Sequence, residues 1–274
     1  MMFSNRTFRL RSPHPIRDFD LQEQTKSDAT AKDGLEKDAP RAAATGTIAG
    51  GERPAVARII ANQNSFIVRL YARIRFLILR QTFLQEIGQY LPRNGRILDL
   101  GCGFGLFSLY FALDAPTRKI TGVDLDADRI EAATQCAARL GVTNVHYTHS
   151  NVLDWKASGE GAAQFDAIFM LDLIHHLPKH EVADFLARVS QLVAPGGVLL
   201  LKDVSNKPYY KKLFTLALDR LMVGSEPIHY WDPAELSALV EGLGFSVKRH
   251  TINDILPYPH ILYVCSRAPT QSWT

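Results

Sequence analysis

Apolar and polar residues alternate along most of the chain in two patterns: short apolar runs, and longer runs with apolar residues three or four positions apart. From Gly95 onward, the short runs predict buried strands at GRILDLG, KITGVDLD, VHYTHSNV, FDAIFML and GGVLLLKDV. Between them, helical spacing predicts helices at FSLYFALD, ADRIEAATQCAARLG and KHEVADFLARVSQLV. Apolar strands that alternate with helices predict an α/β fold with a doubly wound, mainly parallel sheet covered on both faces.

Two segments outside this alternation are helical, apolar and basic. The first, QNSFIVRLYARIRFLILRQTFLQEIGQYLP, predicts an N-terminal helix that packs on the core, with Arg69, Arg73 and Arg80 on a solvated edge. A functional alternative places this helix over a ligand mouth or on an anionic surface. The second segment, KPYYKKLFTLALDRLMVGSEPIHYW, is an insertion that interrupts the rhythm after Val204.

Capping signals set several predicted boundaries. Asp126 is expected to cap the helix that Gly141 closes, because glycine readily adopts the left-handed conformation needed there. Asp232, Pro233 and Glu235 form the start of another helix, with a capping box. Two final strands follow, at FSVKRHTI and HILYVCSR.

Composition narrows the class of protein. The 274 residues are 46% apolar and carry a net charge of +3, which is too small to indicate a nucleic-acid partner. The three cysteines, Cys102, Cys136 and Cys265, lie far apart, which fits a reducing compartment and predicts no metal site. No apolar run approaches the length that spans a bilayer, so we expect a cytoplasmic protein whose membrane contact, if any, is peripheral. The basic opening MMFSNRTFRLRSPHPIR faintly resembles a transit peptide, but the pattern favours a basic disordered end.

The stretch LDLGCGFG carries the first chemical signal. Gly101, Gly103 and Gly105 follow a predicted strand and precede a helix, so a ligand can approach backbone N–H groups without meeting side chains. A dinucleotide fingerprint would place its third glycine at Leu106. Asp99 would repel a pyrophosphate but attract an amino-acid ammonium group.

These residues resemble the glycine-rich signature of class I methyltransferases that use S-adenosylmethionine. The motifs GVDLD, HSNVLDW, FDAIFMLDLIHHLP and LVAPGGVLLLKDV follow in the family's order, over roughly Gly95 to Cys265. The resemblance implies a Rossmann-like fold with a seven-stranded sheet whose last strand is antiparallel. It also implies S-adenosylmethionine as the cofactor.

The resemblance assigns cofactor contacts by position. Asp99 would lie near the methionine moiety, Asp124 would bind the ribose hydroxyls, and Leu125 would lie against the adenine. Asn151 stands where the family more often has aspartate, and its amide oxygen can still accept from the adenine amine. The full predicted cofactor set is Asp99, Gly101, Cys102, Gly103, Gly105, Asp124, Leu125, Asn151, Val152 and Leu171.

The predicted domain organisation has four parts. Residues 1–55 form a disordered tail and residues 56–94 an N-terminal helical cap. Residues 95–268 form the methyltransferase domain, within which residues 205–231 are a helical lid inserted after the fifth strand. Residues 269–274 form a short tail.

Candidate acceptor-side residues follow the fourth and fifth strands. His175 and His176 are candidate catalytic bases, although a histidine pair at this place in the family also packs or caps. Candidate substrate contacts are Asp172, Lys202, Asp203, Tyr258 and His260. A solvated ion pair between Lys202 and Asp203 is the structural alternative for those two residues.

The expected acceptor is a small or lipid-like molecule. The sequence MLDL after the fourth strand lacks the proline-rich motif of enzymes that methylate base amines, and no nucleic-acid module is present. The two apolar, basic segments would suit an amphiphilic substrate or an anionic lipid surface. Two other classes remain as alternatives: a catalytically silent methyltransferase-like protein that acts through partners, and a nicotinamide-dependent oxidoreductase. The acceptor atom and the oligomeric state stay open.

Overall fold

A seven-stranded mixed sheet forms the centre of the protein. A computed structural model describes residues 53–157, 164–204, 229–252 and 260–267. The strands are β1 (Gly95–Leu100), β2 (Arg118–Asp124), β3 (Val145–His149), β4 (Phe165–Leu171), β5 (Val193–Val204), β6 (Phe245–Ile252) and β7 (His260–Arg267). Their order is β3-β2-β1-β4-β5-β7-β6, and β7 alone runs in the direction opposite to the other six strands. The predicted doubly wound sheet with an antiparallel last strand is confirmed.

The register brings the functional ends of three strands together. Asp99 on β1 lies opposite Gly122 on β2 and Phe169 on β4. The chain order reverses at β1, which has β2 on one side and β4 on the other. Ligands of such sheets bind beyond the carboxyl ends of the strands at this switch point.

Seven α-helices and one 3₁₀ turn surround the sheet within the described residues. The helices are α1 (Arg53–Ala61), α2 (Phe66–Ile78), α3 (Gln81–Tyr90), α4 (Leu106–Asp114), α5 (Ala127–Leu140), α6 (Val182–Leu192) and α7 (Pro233–Glu241), and the turn is Ile174–His176. The predicted caps are present. The Asp126 carboxylate accepts from the first backbone N–H groups of α5, Gly141 closes that helix at φ 68°, and Asp232 caps α7.

The N-terminal helical run is broken, whereas the sequence predicted continuous helix there. Helix α2 ends at Ile78 and α3 begins at Gln81, because Leu79 and Arg80 leave the helical conformation. Leu79 is buried, so the break turns an apolar side chain into the core. Helix α1 begins at Arg53, before the predicted start of the helical cap.

Two apolar clusters cover the two faces of the sheet. One joins helices α1–α5 to inward side chains such as Ile97 and Phe169. The other joins α6 and α7 to the opposite face, through residues such as Leu98 and Phe185. Since neighbouring strand residues point to opposite faces, this division follows from the continuous apolar runs of β1 and β4.

Several predictions fall on residues outside the described part. They are the N-terminal tail up to residue 52, most of the lid at residues 205–228, Tyr258, and the C-terminal end from residue 268. Among the described helices, none combines the length and the apolarity that crossing a bilayer requires.

Candidate functional site

The glycine loop after β1 has the shape that its sequence predicts. Gly101, Gly103 and Gly105 all have positive φ, at 77°, 53° and 67°. A Cβ on Gly101 would approach Leu173 Cδ1 to 3.0 Å, and one on Gly105 would approach Ala133 Cβ to 2.9 Å. No atom lies within 4 Å of a Cβ built on Gly103. The loop is therefore closely packed against other residues at Gly101 and Gly105, and it is open at Gly103.

Tyr147 supports the loop from below, a role that the sequence did not reveal. Its hydroxyl donates to the Gly105 carbonyl at 3.3 Å, and the side chain is buried. Its ring also fills the space that a side chain on Gly122 would need. Burial, reinforced by the charges of Cys102 and Asp99, holds the pKa of Tyr147 well above its usual value, so the hydroxyl remains a donor.

Asp124, at the end of β2, is fixed against this loop. The Gly103 N–H donates to its Oδ2 at 2.8 Å, and the Asp126 N–H donates to its Oδ1 at 3.0 Å. The next residue, Leu125, leaves 65% of its surface exposed. A carboxylate beside an exposed leucine has the chemistry that contacts with a ribose and an adenine would require, and these two contacts stay predictions.

The predicted adenine-edge contact is only partly available. The Asn151 Oδ1 accepts from the Leu153 N–H at 3.0 Å, so this oxygen caps its own turn. Val152 is buried. His149 Nε2 lies 2.9 Å from the Leu125 carbonyl oxygen, where it holds the backbone that carries Leu125.

Asp99 is buried at the end of β1 beside the first turn of α4. The Ser108 hydroxyl donates to its carboxyl. Burial, reinforced by the charge of Asp124, raises the pKa of Asp99 to about 8, although the Ser108 hydrogen bond opposes that rise. The carboxyl is therefore largely protonated at neutral pH until a cation reaches it. Cys102 and Leu171 of the predicted cofactor set are also buried nearby, in the loop and at the end of β4.

A cluster of charged groups lies across the crevice, centred on Asp172. This residue follows β4 in a left-handed conformation, at φ 63°, which is uncommon for a non-glycine residue. Its carboxylate contacts the Lys202 ammonium on one oxygen and the Arg75 guanidinium on the other, the latter at 2.9 Å. Burial opposes ionisation of Asp172, but the charges of Lys202 and Arg75 prevail and hold its pKa well below the usual range.

The predicted alternative of a solvated ion pair between Lys202 and Asp203 is wrong. Both residues are buried, and they pair with different partners: Lys202 with Asp172, and Asp203 with His175. The reason is the strand period, because adjacent residues of β5 point to opposite faces. Burial lowers the pKa of Lys202, and the Asp172 carboxylate opposes that shift.

His175 and Asp203 form a buried dyad between the 3₁₀ turn and the end of β5. The Asp203 carboxylate accepts from the His175 backbone N–H at 3.0 Å through Oδ2, and its Oδ1 contacts the ring at Nδ1. The two contacts fix the orientation of the ring. With Nδ1 protonated toward the carboxylate, Nε2 is the nitrogen able to accept a proton.

His176 lies beside this dyad, with its ring centroid 4.1 Å from that of His175. Burial, together with the charge of His175, lowers the pKa of His176 to about 4, so its ring is neutral at physiological pH. Its Nδ1 is buried and has no hydrogen-bond partner among the residues that the structure describes. The predicted contact His260 begins β7 and is also buried; burial and the charges of Lys202 and Arg75 hold its pKa well below the usual value.

The ligand-type atoms of Asp172, His175 and Asp203 all lie within 4.8 Å of one another. Such a set resembles a metal site in its spacing. Each carboxylate already has a protein partner, however, since Asp172 contacts two cationic side chains and Asp203 contacts the His175 ring. We therefore interpret the set as an internally neutralised cluster.

Arg75 is the main acceptor-side residue that sequence reasoning missed. It lies on α2, about 100 residues before its partner Asp172, so local patterns could not pair the two. A helical wheel would have placed Arg75 on the buried face of α2, with Val68 and Ala72, and Arg73 on the opposite, exposed face.

The crevice fits S-adenosylmethionine by the chemistry of its donors. The glycine loop gives close backbone approach, Asp124 offers a carboxylate, Leu125 an exposed apolar surface, and Asp99 a group that gains charge when an ammonium arrives.

Comparisons with known proteins agree with this geometry. A family model described as a methyltransferase domain matches residues 71–250, which is more than half of the chain. The ubiquinone biosynthesis O-methyltransferase of Xanthomonas axonopodis pv. citri is 32% identical over 170 residues, covering 57% of this chain and 65% of that protein. The enzyme of the same name from Azorhizobium caulinodans is 31% identical over 184 residues, covering 62% of this chain and 67% of that protein.

Solved structures share the fold. An O-methyltransferase family protein from Burkholderia thailandensis superposes with a TM-score of 0.58 at 17% identity, covering 80% of this chain and 69% of that one. A magnesium protoporphyrin IX methyltransferase from Synechocystis PCC 6803, solved with S-adenosylhomocysteine, gives 0.56 at 16% identity, covering 79% and 94%. Together with the family match, the fold and the cofactor crevice confirm the expected class, and the chain belongs to the class I methyltransferases that use S-adenosylmethionine.

Proposed function

We propose that this protein transfers the methyl group of S-adenosylmethionine to a hydroxyl oxygen of a small, amphiphilic acceptor. The observation that carries the choice of a hydroxyl is the His175–Asp203 dyad, placed at the ends of β4 and β5 beside the cofactor crevice. Hydroxyls need a base when their oxygen becomes the nucleophile, and a carboxylate-oriented imidazole is a suitable one. The names of the relatives, which are O-methyltransferases, support the same acceptor atom.

The cofactor's part is simple: when bound, it supplies an electrophilic methyl group on a sulfonium. The chain's part is to hold the two reactants in line, and positioning can supply most of the rate. Gly103 lets the cofactor approach the backbone of the glycine loop closely. Asp124 binds the ribose hydroxyls, and Leu125 contacts the adenine. Asp99 holds the ammonium end at the switch point between β1 and β4.

On the acceptor side, His175 Nε2 takes the proton of the attacking hydroxyl. Asp203 acts as a positioning residue, because it fixes the ring and stabilises the imidazolium that forms. Lys202 is buried and Arg75 is partly buried, and both lie against Asp172. The two cations stabilise negative charge that develops on the acceptor oxygen. His260 and Tyr258 stay candidate substrate contacts, His176 stays the alternative candidate base, and Asp172 orders the two cations.

The acceptor class is proposed as small and amphiphilic. Two relatives are named ubiquinone biosynthesis O-methyltransferases. Because the reduced ring of a quinone carries phenolic hydroxyls, these names support a phenol-type acceptor here. A cytoplasmic location and a peripheral membrane contact are proposed as well, and the methyl transfer itself depends on neither.

The test is methyl transfer from labelled S-adenosylmethionine to a panel of phenols and catechols, with amines and thiols as competing classes. We expect transfer to phenolic hydroxyls and a fall in kcat of about 10² to 10⁴ in His175→Gln, with little change in cofactor affinity. Asp203→Asn should also lower kcat, because the asparagine amide presents an N–H to Nδ1 of His175 and so favours the tautomer that is protonated on Nε2.

His176→Gln is the matched control, since it changes the neighbouring imidazole by the same substitution. A fall in His176→Gln as large as that in His175→Gln would contradict the assignment of the base. Transfer to amines alone, with unaffected rates in both variants, would contradict the hydroxyl proposal while leaving the cofactor site intact.

A further inference from the structure

Helix α2 exposes an apolar face that the described part of the protein does not cover. Five large apolar side chains are exposed in the described structure, and four of them lie on α2: Phe66, Ile67, Leu70 and Leu77, with 45% to 78% of their surface in solvent. Positions 66, 70, 73 and 77 follow one another at spacings of four, three and four, so they share one face of the helix. A helix that is apolar on both sides is normally buried on both sides. In α2 only the inner side is buried. We call the outer side the α2 face.

The charged residues of the chain segment that carries the α2 face have a single sign. Between Arg53 and Gln85 the chain has six arginines and no acidic residue. Arg73 lies on the α2 face between Leu70 and Leu77, and Arg69 lies along its edge. Arginines on an apolar helix complement a surface that is both apolar and anionic.

The inner side of α2 contacts the candidate site directly. Arg75 reaches Asp172 at 2.9 Å. The Tyr71 ring lies 5.2 Å from that of Phe104 in the glycine loop, and the Phe76 ring lies 5.8 Å from that of Phe107. Helix α2 therefore crosses the crevice between the glycine loop and the residue after β4, with its apolar, cationic face outward.

We propose that the α2 face docks on an anionic lipid bilayer, and that this docking presents the mouth of the crevice to acceptors dissolved in the membrane. The apolar side chains would enter the acyl boundary while Arg69 and Arg73 contact lipid phosphates. Delivery of the acceptor rests on the proposed function, whereas docking does not. The two are tested separately, because docking is measured without any acceptor.

The experiment is flotation of the full-length protein with vesicles of phosphatidylcholine alone and with vesicles containing about 30% phosphatidylglycerol. We expect binding to the anionic vesicles and loss of that binding as salt rises. Phe66→Ser/Leu70→Ser/Leu77→Ser should lower the partition coefficient about tenfold or more. Arg69→Gln/Arg73→Gln should lower it by about fivefold for each arginine on anionic vesicles only.

Lys248→Gln/Arg249→Gln is the matched control, because it removes the same charge from exposed positions on the edge strand β6. Equal losses in both double variants would mean that net charge alone drives binding, which overturns the proposal. The substituted residues of α2 are partly or largely exposed, so circular dichroism should show an unchanged fold and calorimetry an unchanged affinity for S-adenosylmethionine.

A second readout locates the contact. All three native cysteines are buried, so an environment-sensitive dye can be placed on Leu70→Cys or, as a control, on Lys248→Cys. A blue shift at position 70 alone, on anionic vesicles, supports the proposal. A dye at position 70 that reports burial without vesicles would show that another segment or a second copy covers the α2 face, and would overturn it; sedimentation velocity separates these two cases.

Discussion

The raised pKa of Asp99 predicts that cofactor binding and proton release are coupled. Burial beside Asp124 raises this pKa to about 8, so the free protein holds a proton on Asp99 at neutral pH. The ammonium of the cofactor binds the carboxylate form better, and binding must therefore displace the proton. Lower pH favours the protonated form and weakens binding. The expected slope below the pKa is about tenfold in Kd for each pH unit, which corresponds to about 1.4 kcal/mol.

The assay is isothermal titration of S-adenosylmethionine between about pH 5.5 and 7.5, where the ligand's own α-ammonium stays mostly charged. Across these two units Kd should improve by about 100-fold as pH rises. Titration in buffers of different ionisation enthalpy should show nearly one proton released per cofactor bound. Above the pKa of Asp99 the affinity should become independent of pH. Ser108→Ala removes the hydrogen bond that lowers this pKa, so affinity should become independent of pH only at a higher pH.

Two controls isolate the residue and the ligand group. Asp99→Asn should bind more weakly and lose the slope. Methylthioadenosine, which lacks the ammonium and the carboxylate, should bind the unmodified protein with the same affinity throughout the range. A flat profile for S-adenosylmethionine itself would refute the reasoning, because it would mean that the ammonium does not depend on ionised Asp99.

Three further predictions concern single substitutions. Gly105→Ala should abolish measurable cofactor binding, because its Cβ would meet Ala133 and the Tyr147 hydroxyl, whereas Gly141→Ala, at nearly the same φ but in open space, should lower stability by about 1 kcal/mol in denaturant melts and leave calorimetric binding unchanged. Lys202→Met should lower the free energy of unfolding in urea by about 3 to 5 kcal/mol, since it leaves the Asp172 carboxylate with one cation fewer; the exposed Lys248→Met should change it by under about 0.5 kcal/mol, and an equal loss in both would contradict the account. Leu125→Ala should weaken S-adenosylmethionine several-fold without a change in melting temperature, and unchanged affinity would remove Leu125 from the adenine site.

The sequence predicts the parts of the fold that are fixed by interactions between residues close together in the chain. Apolar runs located the strands, and Asp126, Gly141 and Asp232 set helix ends through contacts within four residues of themselves. The glycine loop was equally accessible, because positive φ is a demand that glycine meets and most other residues do not.

Pairing across the fold was not readable in the same way. From the sequence, either Asp172 or Asp203 could pair with Lys202. Only the three-dimensional arrangement shows that Asp172 is its partner. Arg75 reaches the same carboxylate from a helix that the sequence treated as cover. The break between α2 and α3 depends on the burial of Leu79, which tertiary packing sets. The Asn151 oxygen was expected to face the ligand, but a local turn with Leu153 uses it.

The most direct test of the central claim is calorimetric titration of the purified protein with S-adenosylmethionine, S-adenosylhomocysteine and NADH, repeated on Asp124→Ala. The account predicts that the first two ligands bind, that NADH does not, and that the substitution, which removes the carboxylate held by the Gly103 and Asp126 N–H groups, eliminates binding. Binding of NADH alone, or cofactor binding that is unchanged in Asp124→Ala, would contradict it.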